Sequence, residues 1–174
     1  MAQKSNKTNY NEVTLYNKIV FLSRNKSLYT EINLNDTFQN RITLIFLHVS
    51  FLFIKIKEHQ QNEDCKTFSQ KIFDLIFKSI ENNMREIGYG DVSVNKNMKF
   101  LTKTFYSIIL YCEKYDHKSI DSKKIFFNKH LDIDNDVKNA SNNALIDYFN
   151  KYHSFCLDLT MDKVLMGELN FNYK

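Results

Sequence analysis

Apolar positions recur along this chain at three- and four-residue intervals, a period that predicts a series of amphipathic helices. The first is expected from about Asn11 to Arg24, on Val13, Leu15, Ile19, Val20 and Leu22. A loop over 27–35 follows, with Leu28, Tyr29, Ile32 and Leu34 expected to turn inward. The next stretch, DTFQNRITLIFLHVSFLFIKIKEH, opens at Asp36, which reads as its N-cap. Wound at about 100° per residue, it carries two apolar faces. Ile42, Phe46, Val49, Phe53 and Ile56 form one, and Leu44, Leu47, Phe51 and Ile54 form the other. Two thin polar stripes separate them: Arg41, His48 and Lys55, then Thr43, Ser50 and Lys57. A helix apolar on two sides belongs at the centre of a bundle. It is not expected to cross a membrane, because the run from Ile42 to Ile54 falls short of the roughly 20 apolar residues a span needs. His48 and Lys55 would also be costly in lipid.

Further helices are expected from Cys65 to Ile87, with Phe68, Ile72, Phe73, Ile76, Phe77, Ile80, Met84 and Ile87 inward, and from Asp91 to Tyr115. In the latter, Val94, Met98, Leu101, Phe105, Ile108, Ile109 and Cys112 share a face, and Lys96, Lys99 and Lys103 lie opposite. Gly88 stands where a left-handed C-cap is expected, Gly90 gives a second pliable point, and Asp91 reads as the next N-cap. Shorter helices are expected over about 122–131 and 139–159, with a last turn or two around Val164 and Leu165. The expected fold is all-α: a single compact domain of about six to seven helices with a central hydrophobic helix, occupying residues 11–174 behind a flexible tail over 1–10.

Composition agrees with long helices and few turns. Gly is 3 and Pro is 0 in 174 residues, whereas strand-rich domains spend both on tight turns. Hydrophobic residues at 43% can fill a core. The net charge of +4 permits an anionic partner without demanding one. Cys65, Cys112 and Cys156 are too scattered for a ligand pair and read as reduced thiols in a reducing compartment. The N-terminal residues show neither a hydrophobic signal core nor an Arg-rich presequence.

Candidate chemistry is sparse. No histidine stands in an H-x-x-x-H pair. DIDND, from Asp132 to Asp136, begins like a calcium loop, but Val137 and Asn143 occupy the positions that need Gly and a bidentate Glu. The GYG over 88–90 joins two helices, not a strand to a helix, so a dinucleotide reading fails on context. No catalytic residue, metal or cofactor is expected. Two features stand out. Arg85, Glu86, Gly88, Gly90, Asp91, Lys96 and Lys99 crowd one interhelical junction, and Arg41 and His48 lead the polar stripe of the central helix. Each is either structural or a partner-binding surface, evenly matched on residue type alone, although a buried, hydrogen-bonded histidine is the commoner fate for His48.

At these residues the sequence resembles the ubiquinol–cytochrome c chaperone family. The resemblance starts at Leu15, Tyr16, Ile19 and Val20, and continues through Asp36, Thr37, Arg41, Leu47 and His48, then Gln70, Phe73 and Asp74. Its most specific part is Met84, Arg85, Glu86, Gly88, Gly90, Asp91, Val94, Lys96 and Lys99, followed by Phe105 and Tyr106. Beyond Tyr115 little is matched. The resemblance implies a non-enzymatic chaperone in cytochrome bc1 complex assembly, of the bacterial, alphaproteobacterial kind. Its implied client is apocytochrome b or another bc1 subunit, and its implied helper is a second assembly factor. The expected place is cytoplasmic, peripheral to the inner membrane at most; the lysine row leaves room for a ribosome contact, and no specific DNA binding is expected. The competing reading is an RNA- or ribosome-associated helical protein, based on the Lys96, Lys99, Lys103 row.

Overall fold

The central helix is built as its two apolar faces require. A computed structural model describes residues 2–59 and 61–173. Among the described residues its helices are α1 (Ala2–Ser23), α2 (Lys26–Thr30), α3 (Phe38–Lys57), α4 (Glu63–Glu86), α5 (Asp91–Cys112), α6 (Ile120–His130), α7 (Lys138–Asp158) and α8 (Met161–Leu165). Helix α3 packs against α1, α4, α5 and α7, so both of its faces are covered. By length and composition α3 could cross a membrane, contrary to the expectation drawn from its apolar run. Yet 72% of its apolar window is buried inside the fold, which makes it a core helix here.

The expected all-α architecture is the observed one, with two five-residue helices, α2 and α8, added to six longer ones. Helix α1 is helical from Ala2, upstream of the expected start at Asn11. The 27–35 loop contains α2 and buries Leu28, Ile32 and Leu34 as expected. Ile87 departs from expectation. It stands outside the helix and is 58% exposed, because the chain has already left the α4 axis.

Two caps fall one residue away from their expected places. Thr37, in extended conformation, caps α3 by accepting from the Asn40 amide at 3.1 Å. Asp36 instead receives the Arg41 guanidinium at 2.6 and 2.8 Å, a forked pair that occupies both carboxylate oxygens. Gly90 is the N-cap of α5, and Asp91 is its first helical residue.

Between α4 and α5 the chain reverses through a Schellman turn. The Tyr89 amide donates to Met84 O and the Gly88 amide to Arg85 O, both at 3.0 Å. Gly88 sits at φ 96°, a region that disfavours a side chain. The ring of Phe105 then fills the space among α3, α4 and α5, with Phe46, Phe73 and Phe77 at 5.2–5.8 Å between centroids. At the far end, Gly167 (φ 73°) lets the C-terminal strap cross α1. A Cβ there would lie 2.6 Å from Asn11 O.

The acidic DIDND segment forms a structural turn. Ile133 is buried and bridges Leu34, and the Asp134 carboxylate caps the short 3-10 turn by accepting from the Asp136 amide. Asn40, which carries no motif, anchors this turn from inside. Its amide nitrogen donates to Asn35 O and Asp132 O, and its oxygen accepts from the Asp132 amide, all at 2.7–2.8 Å.

Candidate partner-binding site

The polar stripe of α3 does not act as one unit, because its three residues meet three different neighbours. Arg41 is exposed and tied to Asp36. Lys55 donates to Leu157 O at the end of α7 at 2.9 Å and pairs with Glu58. His48 is fully enclosed by Tyr148, Phe149 and Tyr152 of α7. Enclosed in this way it cannot touch a partner, so its place is in the core and not in a docking surface. Burial pushes its imidazole down to about 4, so it is neutral at neutral pH.

The junction residues also separate. Arg85 bridges Glu81 on its own helix, at 2.9 Å, and Asp91 at the start of α5. This fixes the direction in which α5 leaves the turn. Glu86 points elsewhere: with Arg24 and Arg41 it lines a cleft of about 220 Å³ among α1, α3 and α4. The structure thus brings together Arg41 and Glu86, which lie far apart in sequence. Lys96 and Lys99 stand on the outer face of α5, both exposed and without an ion pair among the described residues. Gly88 and Gly90 shape the turn, with open space at both Cβ positions.

The exposed face of α5 carries more than lysines. Val92 (84% exposed), Phe100, Tyr106 and Leu110 share it with Lys96, Lys99 and Lys103. After Asp91 no acid occurs before Glu113. One flank of this ridge lines an apolar cleft of about 350 Å³ with walls of Phe53, Phe73, Phe105, Tyr106 and Ile109. The other flank, through Phe100 and Lys103, lines a groove of about 420 Å³ closed by Lys129 and His130 at the end of α6. These apolar residues lie outside the inward stripe of α5. The signal was present in sequence as an apolar set interleaved with the lysines at helical spacing.

Among the described residues, no group of three or more His, Cys, Asp and Glu side chains is placed to hold a metal ion. Cys112 and Cys156 are buried thiols, and burial pushes both upward, Cys156 to about 12. Such groups are inert packing residues at neutral pH.

Fold and site together define an all-helical protein whose candidate residues line an exposed interhelical junction and the ridge that leaves it. The chain belongs to the ubiquinol-cytochrome C chaperone family, whose model matches residues 30–123. It is similar in fold to the Cbp3 homolog from Brucella abortus, known from a crystal structure, with a TM-score of 0.83. That likeness covers 99% of this chain and 94% of the other at 22% identity. No curated protein matches the chain at comparable significance.

Proposed function

We propose that this chain is an assembly chaperone for the cytochrome bc1 complex and that it holds newly made cytochrome b, with a second assembly factor as helper. One observation carries the reading: the aromatic cleft beside α5 lies wholly within the segment that matches the chaperone family. An unassembled helical membrane subunit offers apolar side chains bordered by short polar loops. A cleft walled by Phe53, Phe73 and Tyr106 takes the first, and the exposed Lys96 and Lys99 row orients the second. The chain then works in the cytoplasm, at the cytoplasmic face of the inner membrane. Partner contact falls to Arg41, Glu86, Lys96 and Lys99, with Arg85, Asp91, Gly88 and Gly90 holding the junction in shape.

The test is deletion of the gene in its host, followed by b-type haem spectroscopy and quantification of the bc1 complex. Depleted bc1 complex and cytochrome b co-purifying with the tagged chaperone are expected. Normal bc1 levels with no cytochrome b captured would overturn the reading. A ribosome-associated role rests on the same lysines. It predicts co-sedimentation with ribosomes that collapses with added salt, without cytochrome b in the capture.

A further inference from the structure

Helix α5 uses only one flank for the aromatic cleft. Its other flank faces a groove with a different chemistry. Lys103, Lys129 and His130 line it, Gln39 and Ser107 add neutral polar groups, and no acid is among the lining residues. Lys103 and Lys129 have no ion-pair partner among the described residues. Burial and the charge of Lys129 together hold His130 below the ordinary imidazole range, as expected of a site short of negative charge. Phe100, 59% exposed, stands on the same wall, and Val92 and Leu110 project from the ridge beside it.

We infer that the α5 ridge and the groove behind it form a membrane-docking surface for anionic phospholipid, with lipid phosphate seated among Lys103, Lys129 and His130. Two features favour a bilayer over a protein partner. The apolar side chains project from a convex helix, and lipid accommodates protruding side chains without a matching pocket, whereas a protein partner needs shape complementarity. The cations are concentrated on one surface: Lys96, Lys99, Lys103 and Lys129 have no ion pair among the described residues, and α5 carries no acid after Asp91, although the whole chain carries only +4. A surface of this kind gains both from apolar insertion and from the negative potential of the lipid. The inference deepens the membrane-side placement proposed above, and its test uses no client, so either reading can fail without the other.

The experiment is co-sedimentation of the full chain with vesicles of phosphatidylcholine alone or with about 30% phosphatidylglycerol. Binding to the anionic vesicles only is expected, weakening as salt rises from about 0.05 M to about 0.3 M. Each lysine near such a surface strengthens partitioning roughly fivefold, so losing three positive charges lowers it on the order of a hundredfold, and the reversal in Lys96→Glu/Lys103→Glu/Lys129→Glu should lower it by at least that much. Phe100→Ala should weaken it at every salt concentration. A control, Lys26→Glu/Lys78→Glu/Lys163→Glu, alters exposed lysines elsewhere by the same total charge and should retain most of the binding. Circular dichroism checks that each variant is folded. Equal binding to both vesicle types, equal loss in the control, or no vesicle binding by the folded wild-type chain would overturn the inference. Displacement by about 10 mM inorganic phosphate at constant ionic strength would also overturn it, as the mark of a site for free phosphate.

Discussion

His48 on α3 and Tyr148 on α7, one hundred residues apart, meet through a hydrogen bond of 2.7 Å between imidazole Nε2 and the phenol oxygen. The other ring nitrogen, Nδ1, lies 2.6 Å from Leu44 O. A carbonyl oxygen only accepts, so Nδ1 carries the proton and Nε2 accepts from the tyrosine hydroxyl. Both ring nitrogens are thereby satisfied inside the core, and the two helices are locked in register.

Tyr148→Phe removes that donor and leaves Nε2 buried without a partner. We expect a loss of about 1–3 kcal/mol in urea unfolding. His48→Leu/Tyr148→Phe should lose less than the sum of the two single variants, because no polar atom is then left unpaired. Strict additivity would show that the two residues are not coupled.

Stability should fall with acid in a defined window. Burial lowers the folded pKa of His48 to about 4 from the ordinary imidazole value of 6.5, so between these values the unfolded chain binds a proton that the folded chain refuses. The contribution is fully present above pH 6.5 and is lost as pH falls toward 4, by on the order of 3 kcal/mol. Denaturation curves at neutral and acid pH should show the drop, and His48→Leu should reduce it. An unchanged acid slope in that variant would assign the effect to other groups.

The three glycines should respond differently to alanine. Gly88, at φ 96° in open space, should lose about 1 kcal/mol from backbone strain alone. Gly90 has an ordinary φ of −71° and open space, so Gly90→Ala should be close to neutral, within about 1 kcal/mol. Gly167 combines φ 73° with backbone 2.6 Å from the new Cβ, so Gly167→Ala should be the most damaging. Thermal melts of the three variants would test this order.

Lys96→Ala/Lys99→Ala should shift Tm by no more than about 2 °C, because both side chains are exposed and have no ion pair among the described residues. It should slow capture of the client while leaving dissociation largely unchanged. Tyr106→Ala, in the wall of the aromatic cleft, should instead speed dissociation. Stopped-flow association and dissociation with a client peptide would separate the two effects. Unchanged association in the lysine variant would remove Lys96 and Lys99 from the docking surface.

The thiols should react with a thiol reagent only after the protein unfolds, because Cys65, Cys112 and Cys156 are all buried and burial favours their neutral form. Rapid labelling of any of the three in native buffer would reveal an opening of the bundle that the packed structure does not contain.

Much of this was legible in the chain because helical periodicity is local. The double-faced character of α3 follows from residues 38–57 alone, and the left-handed turn at Gly88 follows from the end of one stripe and the start of the next. Cap positions were less legible. Asp36 and Thr37 are both good caps, and the choice went to Thr37 because Arg41 one turn on engages the aspartate. His48 looked like a candidate for surface or core, and only the positions of Tyr148 and Tyr152 decided for the core.

The sequence by itself determined the six longer helices, their order, the all-α class and the resemblance to the chaperone family, because each depends on spacing along the chain. The tertiary structure decided which faces remain uncovered. That Arg41 and Glu86 share one cleft, that Ile87 turns outward, and that α5 keeps Val92, Phe100, Tyr106 and Leu110 in solvent beside its lysines depend on which helix packs where. An amphipathic stripe states that a face prefers burial, but burial needs a neighbour, and among the described residues none covers the outer face of α5.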